Sequence, residues 1–328
     1  MNPASILRRF PQLSALVVGD ICLDRWCTYD PALAEASRET GLPRVAVTKV
    51  ETTPGAGGTI ANNLAALGAG RIAVLGAIGE DGFGWELQRA LRVRGISPDL
   101  LVASSSLQTF TYTKHWNGAT GEEDLPRTDY INAQPLAAEV ERRIVATLGA
   151  HAASFDIILV SDQSETDAGG VVTQAVREAV CKLTNRVVWV DSRLRSELFH
   201  NVIVKPNQRE AEEACTRLFG RVDYLALRRH IGPHPLVVTQ GGDGVIIVDG
   251  TGEHRVATVP VANPVDICGA GDSFSAGAAL AMAACGDIHQ AARVGNLVAS
   301  VTIMKKGTGT ATPDEVIAAG ERAAANAG

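Results

Sequence analysis

Continuous runs of apolar residues alternate along the chain with longer segments in which apolar residues recur at helical spacing. Strands in a sheet that helices cover on both faces have such unbroken runs, because both sides of each strand are buried. The runs that predict strands are 13–19, 71–79, 156–162, 186–192, 202–207 and 236–242. Strands that alternate with helices predict an α/β protein with a doubly wound, mostly parallel sheet.

Eight segments between and after these strands have the pattern expected of helices. They are 60–68, 84–94, 134–149, 167–184, 208–219, 272–285, 288–305 and 314–325. The start of the last helix is the clearest. Thr312 has the side chain of an N-cap residue, Pro313 suits the first helical position, and Glu315 completes a capping box.

Two segments, 25–49 and 107–117, interrupt this alternation because neither contains a predicted helix. The alternating residues Phe110-Thr111-Tyr112-Thr113 predict a strand that is buried on one face only. We expect the two segments to form a small β-sheet that projects from the core as a lid. The sequence shows neither a linker nor an internal repeat, so residues 1–328 are expected to form a single domain.

Composition and charge argue against some classes of protein. Of the 328 residues 46% are hydrophobic, and 30 Lys and Arg against 36 Asp and Glu give a net charge of −6. This balance argues against a nucleic-acid partner, which usually requires a basic face. The longest uncharged, apolar-rich run, 273–286, is shorter than the roughly 20 residues that span a bilayer. The six cysteines lack a metal-ligand spacing, and these features together predict a cytoplasmic protein without a membrane partner.

Two common nucleotide-binding motifs are missing from the sequence. No glycine is followed by Lys and then Ser or Thr, as a Walker loop requires. The dinucleotide motif GxGxxG fails at both candidate positions, because Ile60 and Phe274 stand where its last glycine would be. These observations argue against a P-loop nucleotide hydrolase and against an NAD-dependent oxidoreductase.

Two glycine clusters each lead into a predicted helix, PGAGGTIANNLAALGA at 54–69 and GAGDSFSAG at 269–277. Backbone N–H groups and the helix dipole at such a start attract an anion. Asp272 falls in the first turn, where the dipole favours the charged carboxylate, so we expect it to be ionised at pH 7. A carboxylate beside an anion site suits phosphoryl transfer to a hydroxyl group. The local pattern also fits a tight turn that an aspartate caps.

Taken together, these segments resemble the ribokinase-like (PfkB) family of carbohydrate kinases over almost the whole chain, 16–316. GAGDSFSAG, with Asp266 before it, resembles the C-terminal signature of the family, and the cluster at 54–69 resembles the N-terminal one. KPNQREAE at 205–212 resembles the NxxE segment, and VTQGGDG at 238–244 resembles the nucleotide-phosphate loop. The resemblance implies a three-layer α/β/α fold, sugar kinase activity, and ATP, Mg²⁺ and K⁺ as cofactors.

The resemblance also implies roles for individual residues. Asp272 resembles the catalytic base, and Gly269, Ala270 and Gly271 resemble the anion hole. The residues implied on the nucleotide side are Asn207, Glu210, Thr239, Gly241, Gly244 and Asn296. Those implied on the sugar side are Asp24, Gly57, Gly58, Thr59 and Asn62, and Asp266 is implied at a monovalent cation site. Simpler roles also fit, since Asn207 and Glu210 match a capping box, and Asp24 and Asp266 match turn residues.

Within the family, the chain is most similar to the kinase part of the heptose-phosphate kinase and ADP-heptose synthase proteins. The supporting stretches are GDICLDRW at 19–26, SRETGLPRVAV at 37–47 and KKGTGTATPDEV at 305–316. This likeness implies D-glycero-D-manno-heptose 7-phosphate as the acceptor. The two histidines of 230–234 are one position too far apart for an HxGH motif, so we expect a kinase without adenylyl transfer.

The acceptor is the point at which alternatives stay open. Thr59 stands where the family usually has a sugar-binding Asn, and residues 163–165 also differ from the family pattern. The alternatives are an unphosphorylated sugar, another sugar phosphate, a nucleoside, or a non-catalytic binding protein that kept the fold. Candidate cations for an acceptor phosphate, which also fit ordinary surface charges, are Arg25, Arg38, Arg44, Lys114 and Arg127. The resemblance further implies a homodimer formed through the lids.

Overall fold

A nine-stranded sheet runs through the centre of the computed structural model, which describes residues 2–164 and 170–327. A four-stranded sheet and a two-stranded sheet accompany it. The strands in chain order are β1 (Ser14–Gly19), β2 (Ile21–Tyr29), β3 (Val47–Ala56), β4 (Arg71–Leu75), β5 (Ala77–Gly79), β6 (Ile96–Ser97), β7 (Val102–Ser104), β8 (Thr111–Asn117), β9 (Thr128–Tyr130), β10 (Ile157–Asp162), β11 (Val187–Ser192), β12 (Ile203–Val204), β13 (Leu236–Thr239), β14 (Val245–Val248) and β15 (Glu253–Val256).

The helices lie mainly between consecutive strands and at the C-terminal end of the described chain. They are α1 (Pro3–Leu7), α2 (Gly57–Ala66), α3 (Gly82–Val93), α4 (Ala138–His151), α5 (Gln174–Cys181), α6 (Gln208–Phe219), α7 (Tyr224–Ile231), α8 (Ala270–Cys285), α9 (Ile288–Thr302) and α10 (Pro313–Ala327). Within residues 2–164 and 170–327, none of the helices combines the length and apolarity that crossing a bilayer requires.

The large sheet has the strand order β15-β14-β13-β12-β11-β10-β1-β4-β6. Its pairings from β6 to β13 are parallel, and the hairpin strands β14 and β15 add an antiparallel edge. The chain winds outward from β1 through β4 to β6, and then from β10 to β13 on the other side. The winding direction therefore reverses between β1 and β10, and in doubly wound folds ligands bind in the crevice at such a point.

Side chains of the central strands alternate between two hydrophobic layers, one on each face of the large sheet. In β1, Ala15 and Val17 belong to one layer, and Leu16 and Val18 belong to the other. Helices α1–α3 and α8–α10 cover the first layer, and helices α4–α7 cover the second. Because all four β1 side chains are fully buried, the apolar run is unbroken. The three-layer α/β/α fold with a mostly parallel sheet is confirmed.

The small sheet has the order β3-β2-β8-β9. Strand β2 pairs with β3 in antiparallel fashion and with β8 in parallel fashion, and β9 pairs with β8 in antiparallel fashion. The small sheet expected from segments 25–49 and 107–117 is therefore present. It extends beyond those segments because β3 continues to Ala56, directly before α2, and β9 adds residues 128–130.

Several element boundaries differ from the prediction for identifiable reasons. The run 71–79 divides at Gly76, where a Cβ would lie 2.5 Å from the carbonyl oxygen of Gly19, and its second half pairs with β7 instead. The helix expected over 167–184 begins at Gln174, and residues 167–169 lie outside the described residues. Helices α1 and α7 and the hairpin β14–β15 were not predicted, because short elements contain too few turns to show a clear period.

Candidate active site

A cleft of about 1060 Å³ lies between the carboxyl ends of the central strands and the small sheet. Asp20 follows β1, Gln163 follows β10 and Arg193 follows β11, and all three residues line the cleft. Gly269 and Asp272, at the start of α8, form another part of its wall. The cleft therefore occupies the crevice at which the winding of the large sheet reverses.

One face of the small sheet lines the cleft, because successive side chains of a strand point to opposite faces. The residues on this face are Asp24, Trp26 and Thr28 of β2 and their register partners Tyr112, Lys114 and Trp116 of β8. A bound molecule would therefore meet a carboxylate, an ammonium group and aromatic rings on a single wall.

Asp24 occupies a niche at the inner end of this face. A Cβ at position 55 would lie 2.4 Å from Oδ2 of Asp24, so Gly55 provides the space for the carboxylate. The Cys22 thiol donates to Asp24 Oδ1 over 3.8 Å. Burial raises the pKa of Asp24 to about 6, and the cations Lys114 and Arg127 partly oppose this shift. Because Asp24 lies in the middle of β2, the alternative role as a turn residue is wrong.

The turn before α8 contains both paired and unpaired backbone N–H groups. Gly269 is the N-cap residue and has a left-handed backbone with φ of 77°, which glycine adopts readily. The N–H group of Ala270 donates to the carbonyl of Ile267 at 3.2 Å, so it is already paired. No acceptor within the described chain pairs with the N–H groups of Gly271 and Asp272. Unpaired N–H groups at a helix start attract anions, and the N–H group of Ala270 is not among them.

The pKa of Asp272 lies well above the value that its place at a helix start suggests. Burial and the Asp191 carboxylate raise the pKa of Asp272 to about 7, although Lys205 opposes the shift. Loss of water around the carboxylate outweighs the favourable helix dipole, which a sequence pattern alone cannot reveal. A pKa near the working pH is the value that general base catalysis requires.

A buried ion pair next to the α8 turn was not anticipated from the motifs. Lys205 Nζ lies 2.9 Å from Oδ2 of Asp191, and the two side chains are 3% and 9% exposed. A Cβ on Gly271 would lie 3.6 Å from this Nζ, so the ammonium group stands beside the turn. Burial alone would lower the pKa of Lys205, but Asp191 and Glu210 raise it, which keeps Lys205 charged. The sequence feature that could have indicated this ion pair is Lys205, a lysine near the carboxyl end of the apolar run 202–207.

Asn207 and Glu210 form a complete capping box at the start of α6. Oδ1 of Asn207 accepts from the N–H group of Glu210 at 2.9 Å, and Oε2 of Glu210 accepts from that of Asn207 at 2.8 Å. Burial and the Asp191 carboxylate raise the pKa of Glu210, and Lys205 opposes this rise. Glu210 therefore interacts electrostatically with the Asp191–Lys205 pair. Among the described residues, no three His, Cys, Asp or Glu side chains are arranged to hold a metal ion. Mg²⁺ at phosphate sites needs only one or two carboxylates, so the donor set fits it.

The residues expected on the nucleotide side lie next to one another. Thr239 forms a β-bridge with Asn207, which brings the end of β13 beside the start of α6. Gly241 and Gly244 follow with left-handed backbones, φ of 56° and 88°. A Cβ on Gly244 would lie 2.4 Å from the carbonyl oxygen of Val256, so the loop packs closely against β15.

Asn296 reaches the same place from α9. Its Nδ2 donates to the carbonyl oxygens of Ala257 at 3.1 Å and Val256 at 3.4 Å. The amide is 5% exposed, and both of its polar contacts go to backbone carbonyls. Its Oδ1 therefore points away from these carbonyls as a hydrogen-bond acceptor.

The glycines at the start of α2 are packed, and they do not line the cleft. A Cβ on Gly57 would lie 2.7 Å from an isoleucine of β2, and one on Gly58 would lie 2.5 Å from a proline of β3. The cleft residues from this segment are Ala56 and Thr59. The expectation that Gly57 and Gly58 face a sugar is therefore corrected, because their small size serves the approach of α2 to the small sheet.

Asn62 and Asp266 have partners within the fold. Nδ2 of Asn62 donates to Oγ1 of Thr53 at 3.2 Å, so Asn62 joins α2 to β3 behind the cleft wall and is not among the cleft residues.

Asp266 lines the cleft, and its two oxygens accept from the N–H groups of Cys268 at 2.9 Å and Gly307 at 3.1 Å. Asp266 thus joins the α8 turn to the loop 303–312, and each oxygen keeps a lone pair for a cation.

Asp20 is a further acidic residue of the cleft that the motifs did not indicate. Its carboxylate accepts from the N–H groups of Gln163 at 2.8 Å, Ser164 at 3.0 Å and Val171 at 2.8 Å. Burial raises the pKa of Asp20 to about 6. Asp20 therefore joins β1 to the segment after β10, of which 165–169, including Glu165, lie outside the described residues.

Comparison with protein families identifies a match that covers most of the chain. Residues 14–315 match the pfkB family carbohydrate kinase. This chain belongs to that family. The matched stretch contains the cleft, the α8 turn and the residues of the nucleotide side, so the resemblance seen in the sequence is confirmed.

Curated relatives are about 30% identical to the chain over the aligned residues. The "Bifunctional protein HldE" of Pelobacter propionicus is 30% identical over 324 residues, covering 95% of this chain and 64% of the relative. The protein of the same name from Trichlorobacter lovleyi is 31% identical over 335 residues, covering 96% and 64%. This chain therefore spans less than two thirds of the length of these relatives.

Solved structures support the same fold. Ribokinase from Thermotoga maritima superposes with a TM-score of 0.68 at 20% identity, covering 94% of this chain and 99% of that one. Phosphofructokinase-2 from Escherichia coli, solved in complex with potassium, gives a TM-score of 0.71 at 16% identity, covering 95% and 99%. At such identities the similarity establishes the fold alone.

Proposed function

We propose that this pfkB-family protein transfers the γ-phosphate of ATP to a hydroxyl group of a sugar phosphate, with D-glycero-D-manno-heptose 7-phosphate as the acceptor. The observation that carries the proposal is that two partly buried carboxylates, Asp24 and Asp272, line one cleft together with the turn at Gly269. The heptose acceptor is supported by the resemblance of 19–26 and 305–316 to heptose-phosphate kinases and by about 30% identity with the HldE proteins.

Asp272 acts as the general base in this proposal. In its ionised form it takes the proton of the acceptor hydroxyl while that oxygen attacks phosphorus. Asp24 accepts hydrogen bonds from neighbouring hydroxyl groups and so orients the sugar. The two carboxylates interact electrostatically, since Asp24 raises the pKa of Asp272. In this proposal one sugar ring contacts both of them.

Negative charge on the transferred phosphate is stabilised by groups at the start of α8. The N–H groups of Gly271 and Asp272 have no acceptor in the described chain, and the ammonium group of Lys205 lies beside them. Such preorganised donors are worth most where water is excluded. When bound, ATP with Mg²⁺ supplies the phosphoryl group and neutralises its oxygens. The residues that would hold the nucleotide and metal are Asn207, Glu210, Thr239, Gly241, Gly244 and Asn296.

A phosphorylated acceptor requires positive charge in the cleft. Of the five candidate cations, Arg25, Lys114 and Arg127 line the cleft, whereas Arg38 and Arg44 are not among the cleft residues. Each of the three has an acidic neighbour, and the cleft also contains Arg94, Arg193 and Lys306. We infer that Lys114 and Arg127 bind the distal phosphate, because both lie close enough to Asp24 to oppose the rise of its pKa.

The small sheet serves as the lid of the single kinase domain and as its dimer interface. Closure over the cleft would exclude water, which otherwise competes with the sugar as acceptor. Strand β3 is an edge strand, and exposed apolar side chains on and before it are Leu33, Leu42, Val45, Val47 and Val50. An unpaired edge with apolar side chains is suited to a second copy of the chain. Leu42→Asp should then yield monomers in sedimentation analysis.

The test of the function is ADP release with D-glycero-D-manno-heptose 7-phosphate, fructose 6-phosphate, ribose and adenosine as separate acceptors. Each reaction is run with and without K⁺, which also tests the cation role proposed for Asp266, and Asp272→Asn serves as the blank. Turnover confined to the heptose phosphate supports the proposal. If another acceptor is turned over, that molecule replaces the heptose phosphate as the proposed substrate. If no acceptor is turned over, the kinase activity is contradicted.

A further inference from the structure

Two threonine methyl groups enclose Gly269, the residue that begins the α8 turn. A Cβ added to Gly269 would lie 3.2 Å from Cγ2 of Thr308 and 3.3 Å from Cγ2 of Thr59. The two threonines come from separate parts of the fold, since Thr59 is in the first turn of α2 and Thr308 is in the loop between α9 and α10. Their methyl groups border the space that a side chain at position 269 would fill.

No side chain caps α8 at Gly269 by a hydrogen bond. The neighbouring positions are fixed differently. Cys268 donates its N–H group to Asp266, and Ser273 donates to the carbonyl of Gly269 within the first helical turn. Between these two anchors the left-handed backbone of Gly269 determines where the following N–H groups point. The threonine methyl groups are the nearest atoms to the position that a Cβ of residue 269 would take.

We propose that Thr59 and Thr308 form a clamp that positions the N–H groups of Gly271 and Asp272 by packing against Gly269. The inference rests on the proposed function, in which these N–H groups stabilise the transferred phosphate. The two threonines are positioning residues in this respect. The hydroxyl group of Thr59 has a separate role, because Thr59 also lines the cleft and the hydroxyl is the polar group it offers to a sugar.

If the clamp exists, the effects of the methyl group and of the hydroxyl group of Thr59 can be separated by mutation. Thr59→Ser removes the methyl group and keeps the hydroxyl, whereas Thr59→Val keeps the methyl group at nearly constant volume and removes the hydroxyl. Loss of the methyl group leaves room for the turn to shift, and a misplacement of about 1 Å at a catalytic centre costs about 10²-fold in rate. We therefore expect Thr59→Ser to lower kcat by about tenfold or more with the KM of the acceptor unchanged.

Thr59→Val should have the opposite effects on kcat and KM. We expect its kcat to stay within about twofold of the wild-type value and the KM of the acceptor to rise by about tenfold, the loss of one hydrogen bond. Thr308→Ser should reproduce the kcat defect of Thr59→Ser. The double serine variant should deviate from the product of the single effects, because both residues act through the same glycine.

A measurement without any acceptor tests the clamp independently of turnover. The N–H groups of Ala270 and Ser273 are hydrogen-bonded across the turn, to Ile267 and Gly269, so their hydrogen exchange reports on its rigidity. Exchange should be faster in Thr59→Ser and Thr308→Ser than in the wild type and unchanged in Thr59→Val. Equal exchange in Thr59→Ser and Thr59→Val would overturn the clamp. An inactive wild type with the expected exchange pattern would instead contradict the proposed function alone.

Discussion

The ammonium group of Lys306 lies 4.2 Å from the centre of the Trp116 ring, so a core loop contacts a strand of the small sheet across the cleft. The next residue of the loop, Gly307, donates to Asp266, which also binds the N–H group of Cys268 before the α8 turn. The position of the small sheet is thereby connected to the turn that precedes Asp272.

Lys306→Met should weaken closure of the small sheet. An exposed cation–π contact contributes about 0.5–1 kcal/mol, so we expect the KM of the acceptor to rise by about two- to fivefold. ATP hydrolysis without acceptor should rise relative to sugar phosphorylation, because water enters a cleft that closes less well. Arg89→Met is the matched control, since Arg89 contacts the Trp85 ring at 5.6 Å on α3 and neither residue lines the cleft. An unchanged hydrolysis ratio in Lys306→Met would exclude the coupling.

Lys205→Met should reduce both activity and stability. Removing one charge-stabilising group from a transition state costs about 10²–10³-fold in kcat. Leaving Asp191 buried without its partner costs about 3–5 kcal/mol of unfolding free energy, which urea denaturation measures. Arg217→Met breaks the partly buried pair with Glu197 far from the cleft and should lower stability with little change in kcat. Equal kcat in the two variants would contradict the catalytic role of Lys205.

The rate should depend on pH through Asp272. Its pKa of about 7 means that the ionised base is lost as the pH falls, so kcat/KM should decrease tenfold per unit below pH 7. The neighbouring Asp24, with a pKa of about 6, should steepen the profile at lower pH because the two carboxylates interact. A profile that stays level from pH 8 to pH 5 would be incompatible with Asp272 as the base.

The same raised pKa predicts that Asp272→Asn is more stable than the wild type at pH 8. Ionising a buried carboxylate costs folding free energy, and this cost begins as the pH passes the ordinary value of 3.8 and is complete above about 7. The difference in urea midpoint between the two proteins should therefore shrink as the pH falls from 8 towards 4. Activity and stability would then change in opposite directions at this position.

Gly55→Ala should impair acceptor binding. The added Cβ would lie 2.4 Å from the Asp24 carboxylate, so that side chain must move, and we expect the KM of the acceptor to rise by at least about tenfold, the loss of one hydrogen bond to a charged group. The KM of ATP should stay constant because the change is on the sugar side. Gly149→Ala is the control, since a Cβ at this position of α4 meets no atom within 4 Å and should raise stability slightly.

The orientation of Asn296 predicts a preference for ATP over GTP. Its Nδ2 is engaged with the carbonyls of Val256 and Ala257, which leaves Oδ1 as an acceptor. Adenine offers an amino group at its 6-position, whereas guanine offers a carbonyl oxygen there. We expect Asn296→Leu to raise the KM of ATP by about tenfold, the loss of one hydrogen bond, and to reduce discrimination between the nucleotides. Equal use of ATP and GTP by the wild type would place the adenine elsewhere.

Elements governed by neighbouring residues could be predicted from the sequence. The capping residues Asn207 and Glu210 and the glycine at 220 delimit α6, which was expected at 208–219 and found at Gln208–Phe219. The apolar run of β1 indicates burial on both faces of the strand, and the glycines before Asp272 indicate the start of a helix. In each case the residues that decide the structure lie within one or two turns of each other, so their order along the chain carries the information.

The site depends on contacts that the order of residues does not show. Lys205 meets Asp191, Thr59 meets Gly269, and Asn62 turns to β3 instead of the cleft, because the fold brings distant segments together. The protonation of Asp272 follows the same rule. Its sequence position at a helix start favours the charge, whereas burial beside Asp191 opposes it, and burial is the stronger effect. The sequence by itself determined the family, the layers and the position of the turn before α8. The tertiary structure decided which groups surround that turn and how they are charged, because desolvation and packing arise only between segments that folding brings into contact.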